Sequence, residues 1–346
     1  MPGMDVFNSL PFSMQSLTAR LEDVPYQPGR LGELGIFQSE GVRTTSIMVE
    51  KQGNTLALIQ TTARNAPATQ NVKDGRQILT FPTYRIAQED TITADEVQNI
   101  RSFGSESELD TLLAEVDRRN ARMNRNVEAT EEWHRINALK GILKDADATQ
   151  LLSLFTEFNV VAQTEVDFDL DNASAASGAL RRKCATVIRT IQDALGGLSY
   201  SNIYCMCSSE FWDDLIAHPE VRETVKNWPA ALTLRETGVG RGTNGQPVRQ
   251  LEFGGITFEE YRGSVGGTAY VGADKAHLFP LGVAELFITR YAPAEYFDTV
   301  NTTGLPRYVR INPDGIDPDH KRTIRVQTQQ ISLCTRPLTL VPAKRT

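Results

Sequence analysis

Cysteine is scarce in this chain: Cys184, Cys205, Cys207 and Cys334 are four thiols in 346 residues. They are too few and too scattered to staple a secreted scaffold, and we read them as reduced. Positive charge is in deficit. With 36 Lys and Arg against 43 Asp and Glu, the formal charge is −7, so the chain as a whole has no attraction for phosphate backbones or anionic membranes. Long apolar runs are missing as well, and nothing approaches the ~18 residues needed to span a bilayer. The start, Met1-Pro2-Gly3-Met4-Asp5, has neither the basic nor the apolar region of a signal peptide, and a soluble cytoplasmic product is expected. Apolar residues make up 40% of the chain, enough for one large or two ordinary domains with cores of their own, independent of disulfides or a structural metal.

The first 40 residues carry Pro2, Pro11, Pro25 and Pro28, followed by Gly29, Gly32 and Gly35, a spacing that excludes a long helix or continuous strand. One short amphipathic helix fits, with Phe12, Leu17 and Leu21 on its apolar side. The remainder reads as an arm whose apolar residues (Val6, Phe7, Leu10, Leu31, Leu34, Ile36, Phe37) need another surface to bury them. From Thr44 the period becomes two. Ile47 and Val49 alternate with polar neighbours, Gln52-Gly53-Asn54 supplies a turn, and Leu56 and Leu58 resume the alternation, predicting a β-hairpin. Ile78-Leu79-Thr80-Phe81 and Tyr84-Arg85-Ile86 read as returning strands. A long two-stranded ribbon is marginal alone in water, so it is expected to pack against another subunit.

Thr93-Ala94-Asp95-Glu96 is a capping box. A longer helix is predicted over 107–144, with Leu109, Leu112, Leu113, Val116, Met123, Val127, Ile136, Leu139 and Leu143 at three- and four-residue spacing; it would span roughly 55 Å and act as a strut. Its polar side (Asp117, Arg118, Arg119, Arg122, Arg125, Glu128, Glu131, Glu132, Arg135) reads first as a solvated, salt-bridged face and second as an intersubunit contact. Beyond it we expect strands at Val160-Val161 and Val166 to Leu170, a helix from Asn172 to Leu195, a buried strand from Ile203 to Cys207, a helix from Ser209 to Asn227, and closing strands around Val309-Arg310-Ile311 and Thr323 to Leu333. The class is α+β.

No enzymatic constellation emerges. Cys205 and Cys207 share one face of a strand, but no second Cys/His pair stands at zinc spacing, and they read as small core residues. His134, His218, His277 and His320 form no i, i+4 pair. Asp317-Pro318-Asp319-His320 reads as a surface loop, and Gly238-Val239-Gly240-Arg241-Gly242 lacks the flanking strand and helix of a phosphate loop. The carboxylate pairs Asp213-Asp214 and Glu259-Glu260 read as polar faces without an apolar pocket to shift their pKa. Arg181-Arg182-Lys183 has no interleaved aromatics and reads as a solvated helix face.

Several segments taken together do carry a signal. Leu31-Gly32-Glu33-Leu34-Gly35-Ile36-Phe37, Thr93-Ala94-Asp95-Glu96 with Arg101-Ser102-Phe103-Gly104, Ala138-Leu139-Lys140-Gly141, Tyr291-Ala292-Pro293-Ala294-Glu295-Tyr296 and Asn301-Thr302-Thr303-Gly304-Leu305-Pro306 occur in this order over nearly the whole chain. In this the chain resembles the major capsid protein E family of lambda-like tailed bacteriophages. The resemblance implies the Hong Kong 97-type fold: an N-terminal arm (1–42), an E-loop (43–92), a P-domain with a spine helix at 107–144 (93–179), an A-domain (180–305) and a return to the P-domain (306–346). It implies a non-enzymatic protein without cofactor or metal, present in the virion after assembly in the host cytoplasm. Copies would form hexamers and pentamers of an icosahedral shell around double-stranded DNA held without sequence-specific binding. Implied partners are other copies, a separate scaffold or protease protein, a portal and a decoration protein; no membrane is involved. Arm and E-loop residues Phe7, Leu10, Ile36, Phe37, Ile47, Val49, Leu56, Leu58, Ile78 and Phe81 are the expected intersubunit contacts. An encapsulin-like compartment and a metal-dependent enzyme built on Cys205 and Cys207 are the competing readings.

Overall fold

The strand Lys321–Cys334 organises one of two large sheets. On one edge it pairs antiparallel with Tyr84–Thr93, from Lys321↔Thr93 to Gln330↔Tyr84. On the other it takes Tyr308–Pro313 and then Phe287–Tyr291, and Gln38–Gly41 lies outermost, parallel to Phe287–Tyr291. The computed structural model describes residues 29–52, 76–93, 96, 108–172, 176–227, 239–241, 247–265, 267–313 and 321–346. Alternate residues of a strand face opposite ways, and the two ends of Lys321–Cys334 bury opposite faces. Ile324 and Val326 meet Val116, Met123 and Val127 of the long helix together with Ile92 and Val309; Ile331 and Leu333 enter the central core. Between them Gln327, Thr328, Gln329 and Gln330 are buried although polar.

The long helix runs Glu108–Leu139, about 48 Å at 1.5 Å per residue. It ends before the expected boundary because Gly141 turns left-handed, with φ 74°, and sends the chain into a strand, Ile142–Lys144, so Leu143 is a strand residue. The residues expected to form its solvated face divide. Arg118, Arg122 and Arg125 are exposed, whereas Glu131, Glu132 and Arg135 are buried. At the separate, earlier capping box, the Thr93 amide donates to the Glu96 carboxylate at 3.4 Å, one half of the expected pair, and Arg119 of the long helix holds the same carboxylate at 2.9 Å.

The second sheet has seven strands in the order Val166–Asp167, Val341–Lys344, Lys275–Leu281, Asn202–Cys207, Ile256–Glu260, Pro247–Phe253 and Val239–Arg241. Asn202–Cys207 is its centre, parallel to Ile256–Glu260 and antiparallel to Lys275–Leu281. Ile203, Cys205 and Cys207 face a core made with Cys184, Val187 and Ile191 of the helix Ala179–Leu195 and with Phe211 and Trp212. Tyr204 and Met206 face the central core. Burial on both faces explains the unbroken apolar run of this strand.

Other boundaries move for local reasons. The helix expected over Ser209 to Asn227 is two, Ser209–Ala217 and Pro219–Asn227, because Pro219 has no amide to continue the first. The helix before it begins at Ala179, after Gly178 at φ 81°. The strand at Val166 stops at Asp167, whose carboxylate accepts the Asp169 amide at 2.7 Å in a side-chain turn. Val160 and Val161 are not in a strand, and Val161 is exposed. The partner of Ser46–Gln52 is Arg76–Pro82, in register from Ser46↔Pro82 to Gln52↔Arg76. The expected tight turn at Gln52-Gly53-Asn54 and the Leu56 and Leu58 strand, together with the arm helix at Phe12, Leu17 and Leu21, lie outside the described residues, as does the Asp317-Pro318-Asp319-His320 loop.

Phe287–Tyr291 belongs to the five-stranded sheet. Val341–Lys344, the last strand, closes the seven-stranded one beside Lys275–Leu281.

Candidate assembly surface

Two buried polar locks hold together segments that are distant in sequence. The first seats the short helix Arg30–Leu34. Arg30 Nε and Nη2 donate to Glu259 Oε1 and Oε2 at 2.7 and 2.8 Å, and Nη1 reaches Glu33 at 2.9 Å. Glu259 is 1% exposed and also accepts from the Tyr204 hydroxyl and from Gln250 Nε2. The expectation of a polar, solvated Glu259 is therefore corrected, since its partners come from three elements. Burial works against the Arg30 charge, but Glu259 outweighs it and holds the guanidinium protonated above its ordinary value; burial and the Glu259 charge push the Tyr204 phenol up.

Beside this lock, Glu132 Oε1 accepts the Leu31 amide at 2.7 Å and the Tyr261 hydroxyl at 3.2 Å. A Cβ on Gly29 would lie 2.3 Å from Glu132 Cδ, so a larger residue would have to displace the Glu132 carboxylate from its bonds. Burial raises the Glu132 carboxyl above its ordinary value. A raised folded-state pKa favours the fold fully below the unfolded value of about 4.5, and that contribution is lost as pH rises through the folded value. Glu132→Gln should flatten the pH dependence of subunit stability above about pH 4.5. Urea titrations at several pH values check this, and wild-type and variant curves that stay parallel would contradict it.

The second lock ties the segment after Gly304 to the long helix. Arg307 Nη1 and Nη2 donate to Glu131 Oε1 and Oε2 at 2.6 and 2.9 Å, and its Nε donates to Asn124 Oδ1 at 2.7 Å. Gly304 is required by close approach. Its amide donates to the Val42 carbonyl at 2.8 Å, and a Cβ there would meet the Tyr291 carbonyl oxygen at 2.1 Å.

The four thiols are buried, and burial pushes Cys205 and Cys207 up so that they stay protonated. His134 and His277 are pushed down by burial, His277 to about 3 with help from Lys140 and Lys275. Among the described residues no group of three His, Cys, Asp or Glu is placed to hold a metal ion.

The ribbon has two unlike faces. Ile47, Val49, Leu79 and Phe81 pack inward on the central core, with the Phe81 ring 5.7 Å from that of Phe158. Met48 and Ile78 lie on the other face, 70% and 63% exposed. Of the residues expected to touch a neighbour, Phe37, Ile47 and Phe81 are thus buried by the subunit itself, and Ile36 and Val49 are partly buried against the same core. Ile78 alone stands out, while Phe7, Leu10, Leu56 and Leu58 lie outside the described residues. At its base the ribbon packs on the subunit's own central core.

The most exposed aromatic among the described residues escapes sequence analysis. Phe297 is 98% exposed and Val300 62%, on a single helical turn, Phe297–Thr299. The turn is rigidly held: Thr299 Oγ1 donates to the Ala294 and Tyr296 carbonyls, and the Arg310 guanidinium lies 4.8 Å over the Tyr296 ring. No periodicity marks one phenylalanine between Tyr296 and Asp298, so the signal was absent. Beside the ribbon base, an open groove of about 610 Å³ is lined by Ile47, Met48, Val49, Phe158, Ile288 and Leu338 among others. Large apolar side chains fixed in place and left open to water are the surface a partner covers.

The chain is 24% identical over 365 aligned positions to the major capsid protein of Salmonella phage Felix O1, covering 96% of each chain. It is 29% identical over 320 positions to the major capsid protein of Pseudomonas phage KPP10, covering 88% of this chain and 90% of that one. Its fold is similar to the mature capsid subunit of bacteriophage PhiM1, with a TM-score of 0.51 at 13% identity over 93% of this chain and 88% of that one. The expected α+β, Hong Kong 97-type fold is what the two sheets and the long helix build. Residues 13–345 match the model of the phage major capsid protein E family, and the chain belongs to that family.

Proposed function

We propose that this protein is the repeating tile of a tailed-phage head, forming hexamers and pentamers of an icosahedral shell around the double-stranded DNA genome. Family membership over residues 13–345 carries this reading. The surface supports it physically: Phe297, Val300, Met48 and Ile78 are large, apolar and exposed. The ribbon would lie across a neighbouring subunit through its outer face, where Met48 and Ile78 are exposed. A separate scaffold or protease protein, a portal and a decoration protein are the further partners, assembly takes place in the host cytoplasm, and the role is mechanical and not enzymatic. An encapsulin-like compartment would enclose protein cargo, so particles that hold DNA distinguish the two.

Phe297→Asp is the direct test. The side chain supports no core, so the subunit should stay folded and soluble, while shell yield should fall about tenfold or more, since each ~1.4 kcal/mol lost at a repeated contact is a factor of ten. Sedimentation and electron microscopy of particles made with the cognate head proteins read the result. Normal shell yield from the variant would remove Phe297 from the interface, and a wild-type chain that never forms shells would overturn the function.

A further inference from the structure

The long helix carries a row of arginines that neither the core nor the locks use. Val116, Met123 and Val127 mark its buried side. At 3.6 residues per turn, positions 118, 122 and 125 fall within about 60° of one another on the opposite side. Arg118, Arg122 and Arg125 are all exposed. Arg118 pairs with Glu115 at 2.7 Å, whereas among the described residues neither Arg122 nor Arg125 has an ion-pair partner. Glu128, the nearest carboxylate toward the helix end, is half-buried and accepts from Asn124 at 2.8 Å. Ala114, Ala121 and Ala129 are the flanking residues on this side, and small side chains let a second surface approach closely.

A positive row in a chain of net charge −7 selects an anion, and its shape selects an extended one. The three positions spread over about 10 Å of helix axis at 1.5 Å per residue, the length over which one strand of a duplex carries about three phosphates. The row offers no large apolar side chain, unlike the Phe297 and ribbon surfaces, so it is not built to be dried against another subunit, where unpaired guanidiniums would be costly. The neighbouring Glu115 carboxylate is held by Arg118 and Arg119, and charge alone gives contact without sequence preference.

We propose that Arg118, Arg122 and Arg125 line the inner wall of the shell and make its contact with the phosphate backbone of packaged double-stranded DNA. This rests on the shell reading above. The contact is weak by construction, three charges per subunit, and so compatible with loading and release.

Binding of a 30-base-pair duplex to unassembled subunits, followed against salt, tests it. Three phosphate contacts predict a slope of log affinity on log salt near −2.7, or about a 40-fold loss between 50 and 200 mM. Arg118→Gln/Arg122→Gln/Arg125→Gln should lower that slope toward zero while shells still assemble, and the corresponding Lys variant should keep it. Should the triple variant fail to fold, Arg122→Gln alone should lower the slope by about 0.9. Intact empty shells should not bind added duplex, because the row faces inward. An unchanged slope in the Gln variants, equal binding by intact shells, or a folded Gln variant that cannot assemble each overturns the proposal. A wild-type chain that binds duplex with this slope yet forms no shell overturns the function reading and leaves the phosphate contact standing.

Discussion

Arg307→Ala should destabilise the unassembled subunit by about 3–5 kcal/mol, the usual cost of leaving one member of a buried ion pair without its partner. Glu131 is 2% and Arg307 11% exposed at the side chain, so little water is present to take over. The arginine makes three bonds to the long helix at once, two to Glu131 and one to Asn124, besides one to the Pro306 carbonyl, and they hold the Asn301 to Arg307 loop on that helix. Removing the guanidinium leaves a buried carboxylate facing an apolar methyl. Urea denaturation at pH 7 reads the loss as a lower midpoint with little change in slope; a loss under about 1 kcal/mol would show that the pair is worth no more than an exposed one. Arg307→Met combined with Glu131→Leu should recover most of the loss, because replacing both charges by apolar groups of similar size is often neutral. Failure of the double variant to recover would mean that the arginine acts through loop geometry and not through its charge.

Phe81→Ala should cost about 3–5 kcal/mol as well, through lost transfer energy and the cavity left behind. Phe81 is fully buried, stacks on Phe158 and belongs to the cluster that contains Leu31, Ile47 and Phe279. The expectation from sequence was that it touches a neighbouring subunit. The two readings separate cleanly in the unassembled protein: a pure interface residue would leave its stability unchanged and weaken only shell formation, whereas a core residue lowers the urea midpoint before any assembly takes place. Met48→Ala on the same ribbon provides the contrast, since at 70% exposure it should leave the midpoint within about 0.5 kcal/mol of wild type.

What could be read in advance follows a physical pattern. The run Ile203-Tyr204-Cys205-Met206-Cys207 is apolar at every position, and a strand buried on both faces has to be; the reading of a core strand holds and the second face came only with the fold. The long helix was legible over its body, because Val116, Met123 and Val127 keep helical spacing. Its end was not, since the left-handed turn at Gly141 is one option among several open to a glycine.

Glu131, Glu132 and Glu259 were misread as solvated for one shared reason. A carboxylate in sequence looks the same in water as it does opposite a buried arginine, and its partner lies far along the chain: Arg307 is 176 residues from Glu131, and Arg30 is 229 from Glu259. Phe297 was missed for the converse reason, because an isolated aromatic reads as core until a fold leaves it outside.

The amino-acid order by itself therefore determined the quantities that depend on near neighbours: the period of each element, the apolar total, the net charge, and an ordered set of segments specific enough to identify a family. Tertiary structure alone decided which charges are buried in pairs, which ribbon face meets the core, and which apolar and basic residues stay outside. Those are properties of contacts between residues far apart in the chain, and no local pattern encodes the partner on the far side of such a contact.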